Sequence, residues 1–118
     1  MTRKRRPKVL PEIRVKLVRC RRGQRAVSER YPKNLGLRTK LGGRPDWIQS
    51  DEVPECPSCR AAMSFVGQID SIEHHSPNNP LAKSAVRGEQ SYMFGDVGMI
   101  YVFFCIVCCE PQSVHQCY

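Results

Sequence analysis

The sequence predicts a mainly β protein: a small antiparallel β-sheet domain with a zinc-ribbon-like four-cysteine site and a basic, partly disordered N-terminal tail. Three observations carry that expectation. Nine prolines and eight glycines divide the 118 residues and leave few long helical stretches. Runs of β-branched and aromatic residues, above all "MIYVFFCIVC", lie between turn-forming clusters. Two Cys-x-x-Cys pairs, Cys56 and Cys59 in "ECPSC" and Cys105 and Cys108 in "FFCIVCC", share one spacing. A chain this short fits a single domain, and its small core gains from a staple. The expected division is a basic tail over 1–8 and one zinc-stapled β-rich domain over 9–118.

Residues 1–8 carry Arg3, Lys4, Arg5, Arg6 and Lys8 with no apolar face, a composition that does not order by itself. From Glu12 to Arg19, Ile13, Val15 and Leu17 alternate with Arg14, Lys16 and Val18. This period of two predicts a strand with one apolar and one largely basic face. "CRRGQRAVSERYPKNLGLR" reads as turn and loop, with at most a short helical turn over 25–30. "LGGRPDW" is a turn leading into Trp47, the only tryptophan.

After an acidic loop, "QSDEVPE", comes the first cysteine pair, and "AAMSFVGQID" then supports a strand of roughly eight residues. "SIEHHSPNNPLAKSAVRGEQS" is a polar, turn-rich excursion. "FGDVG" makes a turn, "MIYVFFCIVC" is the strongest strand of the chain, and "SVHQCY" closes with a short one.

Charge is uneven. Residues 1–50 hold sixteen Lys and Arg against three acids, a balance of +13, whereas residues 51–118 hold three against eight, a balance of −5. The front half calls for an acidic partner or is simply a solvated basic segment. Seven cysteines cannot all pair internally. The basic start resembles the first region of a secretory signal, but Pro11 and Glu12 interrupt any apolar stretch behind it. The expected compartment is therefore a reducing cytoplasm, where Cys-x-x-Cys pairs serve as metal ligands or redox centres more often than as structural disulfides. The longest apolar run is about half the roughly 20 residues that a membrane helix needs.

Zinc prefers a tetrahedron of four ligands, and two Cys-x-x-Cys turns supply one because each curls its sulfurs toward a common point. Pro57 pre-sets the backbone inside the first turn. The expected ligands of a structural Zn2+ are Cys56, Cys59, Cys105 and Cys108. The 45 residues between the pairs exceed the about 15 to 20 of compact zinc ribbons, but pairing of "AAMSFVGQID" with "MIYVFFC" brings the two turns together. Four thiolates also accept iron. Cys109 competes with Cys108 for the fourth position, and His115 is a substitute ligand. Cys20 and Cys117 read as isolated structural cysteines. A redox pair needs a low-pKa thiol, usually at a helix N-terminus, and neither pair clearly opens a helix. Nucleophilic catalysis by a cysteine needs an adjacent histidine, and nothing in the sequence places His74, His75 or His115 beside a thiol. No phosphate loop, dinucleotide fingerprint, HExxH or nucleophile elbow is present, which disfavours an enzyme.

Taken together, "LGGRPDWIQ", "CPSC", "MSFVGQIDS", "FGDVGMIYVFFC" and "QCY" resemble the YwqG-like family of bacterial proteins over residues 35–118. The most specific pieces are Gly42-Gly43-x-Pro45-x-Trp47-x-Gln49, Gln68-Ile69-Asp70 and Gly95-Asp96-x-Gly98. The resemblance implies a cytoplasmic, mainly β bacterial protein, and a cysteine-pair zinc knuckle whose second pair follows the Gly-Asp-x-Gly turn. It also implies an association of some relatives with toxin and immunity gene clusters. The chain departs from longer members in its basic segment 1–34.

These motif residues also have direct readings. Gly42 and Gly43 permit positive φ, and Trp47 covers core. Gln49 and Gln68 satisfy buried backbone groups, or line a candidate binding surface with Trp47, Asp70 and Asp96. Asp96 most simply stabilises a tight turn. The leading functional expectation is a zinc-stapled protein-interaction module with an unidentified protein partner. One alternative is nucleic-acid binding through Arg3, Lys4, Arg5, Arg6 and Lys8, extended by Arg14, Lys16, Arg19, Arg21, Arg22 and Arg25. Another is an enzyme built on Trp47, Gln68, Asp70 and Asp96, which calls for a pocket with converging polar groups.

Overall fold

In the computed structural model the described residues are 4–10, 12, 14–20, 38–71 and 92–118. They contain four strands: β1 (Lys40–Leu41), β2 (Ser64–Asp70), β3 (Met99–Cys105) and β4 (Glu110–Gln116). All neighbours are antiparallel, in the order β1-β2-β3-β4, and the described residues include no helix. The expected small antiparallel sheet is thus the observed architecture.

Strand β3 is central and alternates strictly. Met99, Tyr101, Phe103 and Cys105 are buried on one face, while Ile100, Val102 and Phe104 are half-buried on the other. A strand apolar on both sides reads as a continuous hydrophobic run, which is why "MIYVFFC" stood out. Trp47 lies on the buried face, 4.6 Å from the ring of Tyr101 and stacked 5.9 Å from Phe103; Phe65 meets Phe103 edge-on at 5.6 Å. Such aromatic pairs add about 0.5–1.5 kcal/mol each beyond the area they bury.

The irregular segment 46–50 crosses this face, and each long strand supplies a side chain to hold it. Gln68 of β2 accepts from the Asp46 N–H at 3.0 Å. The Tyr101 hydroxyl of β3 accepts from Ile48 N–H at 3.0 Å and donates to the Asp46 carbonyl at 2.8 Å. Gln116 of β4 accepts from Gln49 N–H at 3.0 Å and donates to the Ser50 carbonyl at 2.6 Å. A chain without secondary structure lying on a core must satisfy its backbone groups with side chains, and these three buried residues do so.

On the β1 side, a Cβ at Gly67 would sit 2.7 Å from the Lys40 carbonyl oxygen, so only glycine lets the short strand approach. Strand β2 carries an irregularity between Phe65 and Gly67 in its pairing with β3. Gly42 and Gly43 adopt the expected positive φ, 70° and 72°.

Two expectations are corrected. The described residues of the predicted strand over 12–19 form none, and Val15, Leu17 and Val18 are 71%, 76% and 78% exposed. The alternating pattern specifies a strand face but not a pairing partner, and an isolated strand does not persist in water. The closing strand begins at Glu110 and not at Ser113, because the hairpin after β3 pairs Cys105 directly with Glu110. Pro111 is tolerated because β4 is an edge strand. The expected helical turn over 25–30 and the polar excursion, with His74 and His75, lie outside the described residues, apart from Ser71.

Candidate metal centre

The two cysteine pairs sit on turns of one design. In the first, Arg60 N–H donates to the Cys56 carbonyl at 2.8 Å, and Arg60 adopts φ of 63°. In the second, Cys109 N–H donates to the Cys105 carbonyl at 2.8 Å, with φ of 57° at Cys109. Each turn is closed by antiparallel pairing: Glu55 with Ala62 for the first, Cys105 with Glu110 for the second. Cys-x-x-Cys followed by a left-handed residue reverses the chain and leaves both sulfurs on its inner side.

The sheet brings the turns together. The first turn runs into β2, the second joins β3 to β4, and Ser64 at the start of β2 pairs with Phe104 near the end of β3. The 45-residue separation in sequence therefore collapses at one end of the sheet. The sulfurs of Cys56, Cys59, Cys105 and Cys108 all lie within 4.8 Å of one another, with those of Cys59 and Cys105 3.8 Å apart. A tetrahedral ion with bonds of about 2.3 Å to sulfur sets its ligands about 3.8 Å apart. Four sulfurs at these spacings form a donor set that could hold a metal ion.

Burial grades across the site: Cys56 and Cys105 are buried, Cys108 is half-buried and Cys59 is exposed. The backbone N–H of Cys59, with that of Ser58, draws the Cys56 thiol down to about 7 against the opposing effect of burial. Hydrogen bonding to Cys59, then burial and the other sulfurs, pushes Cys108 up to about 12. Four sulfurs this close do not all ionise unless a cation lies between them.

Cys109 is exposed and occupies the left-handed position of its turn, so the fourth member of the group is Cys108. His115 lies outside the group: its Nε2 is 2.5 Å from the Phe94 carbonyl oxygen, and the residue pairs with Ile100 toward the far end of β4. Cys20 and Cys117 also lie outside it.

The remaining sequence candidates separate into distinct places. Gln68 is buried, with its amide nitrogen on the Arg38 carbonyl at 2.8 Å and on Asp46 Oδ2 at 3.2 Å. Asp70 is fully buried and receives Arg38 at both oxygens: Nη2 to Oδ1 at 2.8 Å, and Nε and the backbone N–H to Oδ2 at 3.1 Å each. The guanidinium also donates to the Tyr118 hydroxyl at 2.7 Å. Burial acts against the charge of Arg38, but the hydrogen bond and charge of Asp70 outweigh it and its pKa is raised. Gln49 donates from its side chain to the Cys117 carbonyl at 2.6 Å, and Trp47 is held by the core rings. Asp96 is exposed on the turn before β3, where its carbonyl accepts from Tyr118 N–H at 3.2 Å. A cavity of about 290 Å³ is lined by Phe94, Gly95, Ile100, Ser113, Val114 and His115, none of which is among these five residues.

Sequence reasoning missed Arg38 and Gln116. Each acts through a partner more than thirty residues away, 32 for Arg38 with Asp70 and 66 for Gln116 with Ser50, and no local pattern marks such a pairing. Of the basic residues assigned to nucleic acid, Lys4, Arg5, Arg6 and Lys8 are exposed, and Arg3 lies outside the described residues. No helix of the described residues is long and apolar enough to cross a membrane.

No family model matches the chain, and no solved structure matches it. The resemblance to the YwqG-like family thus rests on its motifs alone. Among curated proteins, the "Uncharacterized protein YpfL" of Salmonella typhimurium strain LT2 is 32% identical over 80 residues, 66% of this chain. The matched stretch is 15% of that relative's length, so what this chain is similar to is one short part of a much longer protein.

Proposed function

We propose that the chain is a zinc-stapled β module, with Cys56, Cys59, Cys105 and Cys108 holding one structural Zn2+, and that its role is to present a surface to a protein partner. The observation that carries the metal is the convergence of two matching turns onto a sulfur group of tetrahedral dimensions. Four cysteine ligands leave no open position, so the metal orders the sheet end and does not activate water. The internal engagement of Gln68 and Asp70 supports a structural use of the motif residues and weighs against a catalytic one. The likeness to part of a longer protein is in keeping with a module that works beside other chain segments. Membership of the YwqG-like family, with its link to toxin and immunity systems and a cytoplasmic setting, belongs to this same reading.

A second reading, nucleic-acid binding, is favoured by the exposed run Lys4, Arg5, Arg6 and Lys8. Binding by phosphate contacts would fall steeply with salt and vanish when these four are changed to glutamine.

Native mass spectrometry of protein prepared without added metal tests the leading reading. One zinc per chain is expected, and none in Cys56→Ala, Cys105→Ala. A well-folded native protein free of metal would overturn it, and a red, iron-loaded protein would keep the site but replace the zinc.

A further inference from the structure

The four sulfurs of the cysteine group are unequally placed. Cys59 is exposed, Cys108 is half-buried, and Cys56 and Cys105 are buried. The first turn presents Cys59 to solvent together with Pro57, Ser58 and Arg60, all exposed, so an oxidant in solution meets this sulfur before the other three. Its neighbour across the site is Cys105, 46 positions along the chain, whose sulfur stands 3.8 Å away at the end of β3. A disulfide, with about 2.05 Å between its sulfurs, lies a short side-chain movement from that arrangement. Thiolates bound to a cation are ionised, and the ionised sulfur is the nucleophile. An exposed thiolate backed by a buried one is the arrangement in which oxidation goes on to a disulfide instead of stopping at a sulfenic acid.

We propose that the cysteine group is an oxidation-sensitive staple: a hydroperoxide oxidises Cys59, Cys105 resolves it, and the Cys59–Cys105 disulfide that forms releases the metal. The inference rests on the metal reading above and adds a regulation of that site. Cys59 Sγ attacks one oxygen of hydrogen peroxide; the O–O bond breaks, hydroxide leaves, and Cys59 becomes a sulfenic acid. Cys105 Sγ then attacks Cys59 Sγ; an S–S bond forms, the S–O bond breaks, and a second hydroxide leaves. Two protons from solvent convert the hydroxides to water, so two thiolates lose two electrons and one peroxide gains them.

Cys56 and Cys108 then remain as ligands, one from each turn, and two thiolates do not complete the tetrahedron that holds zinc. The new bond links the same two turns that the ion linked. It closes a loop of 46 positions, which restricts the unfolded chain far more than the short loop of a Cys56–Cys59 bond. Cys109 is exposed as well but lies outside the sulfur group, so its oxidation leaves the metal in place.

Hydrogen peroxide added to the intact, zinc-loaded protein in the absence of reductant tests this, with zinc counted by native mass spectrometry and disulfides located by peptide mapping. Zinc content is expected to fall from one per chain to none as one Cys59–Cys105 disulfide forms, and to return to one when a dithiol reductant and zinc are supplied. The variant Cys20→Ser, Cys109→Gly, Cys117→Ser keeps the four ligands and should lose its zinc to the same extent. Zinc retained while peroxide oxidises Cys109, release accompanied by a Cys56–Cys59 bond, release that the reductant does not reverse, or a triple variant that keeps its zinc would each overturn the proposal and leave the metal reading intact. Protein that carries no metal before peroxide is added would instead overturn the metal reading, and this inference with it.

Discussion

Cys109 stands in the second turn where Arg60 stands in the first: each follows its Cys-x-x-Cys, each donates its N–H to the carbonyl of the leading cysteine at 2.8 Å, and each has positive φ. The equivalence explains why a third cysteine adjoins the second pair without joining the sulfur group. The backbone that aims Cys108 inward turns Cys109 out to solvent.

The two neighbouring cysteines should therefore behave oppositely. On the zinc reading Cys108→Ala removes a ligand, and it is expected to abolish stoichiometric zinc. Cys109→Gly should keep one zinc per chain and change stability by no more than about 1 kcal/mol, because relief of the left-handed strain of about 1–2 kcal/mol is partly offset by the added freedom of glycine in the unfolded chain. Metal stoichiometry with urea denaturation checks both, and zinc loss in Cys109→Gly would mean the ligand has been misassigned.

Removing the metal should unfold the sheet rather than merely empty a site. Zinc in small metallo-domains contributes about 10–16 kcal/mol, comparable with or above the whole stability of a domain at about 5–15 kcal/mol. Without it, the two cysteine turns lose the ion that would join them at the end of β2 and β3. Trp47, stacked on Tyr101 and Phe103, is a built-in reporter. A strong chelator should red-shift its fluorescence and abolish near-UV dichroism together with zinc loss; zinc leaving with both signals intact would contradict a structural role.

What could be read in the sequence was what repeats locally. The equal spacing of Cys56/Cys59 and Cys105/Cys108 marked the sulfur group, and the apolar run 99–108 marked the central strand, which ends at Cys105 because residues 106–109 form the second cysteine turn. Gln68 was legible as a polar residue inside a strand, though not its target, the segment 46–50. The Arg38–Asp70 pair was invisible: Arg38 lies in a basic half whose charges otherwise suggest solvent, and only the fold places it on a buried carboxylate. The pattern over 12–19 misled for the converse reason, because alternation specifies a face but not a pairing partner.

The Arg38–Asp70 pair yields a second energetic test. Both side chains are buried, and their contact is bidentate. Removing one partner leaves the other charge unpaired in the interior, a loss of about 3–5 kcal/mol. Arg38→Met and Asp70→Asn should each destabilise by about that amount, and the double variant by clearly less than their sum. A denaturation cycle measures the coupling; strict additivity would show that the two charges do not depend on each other.

Tyr101 gives the protein a defined alkaline weakness. Its ring is fully buried, its hydroxyl bridges Ile48 N–H and the Asp46 carbonyl, and burial pushes its pKa up to about 12 from 10. The folded state thus holds the phenolic proton to higher pH than the unfolded chain does. The stabilisation is complete below about pH 10, the unfolded value, and is lost as pH rises through the folded value near 12. Tyr101→Phe should cost about 1–3 kcal/mol at neutral pH, by leaving two buried backbone groups without their partner. It should also flatten the fall in stability above pH 10. Urea midpoints of both proteins at pH 8, about 10 and about 11.5 separate the two effects: a gap that narrows with pH places the alkaline loss at this hydroxyl, whereas a constant gap places it on other groups.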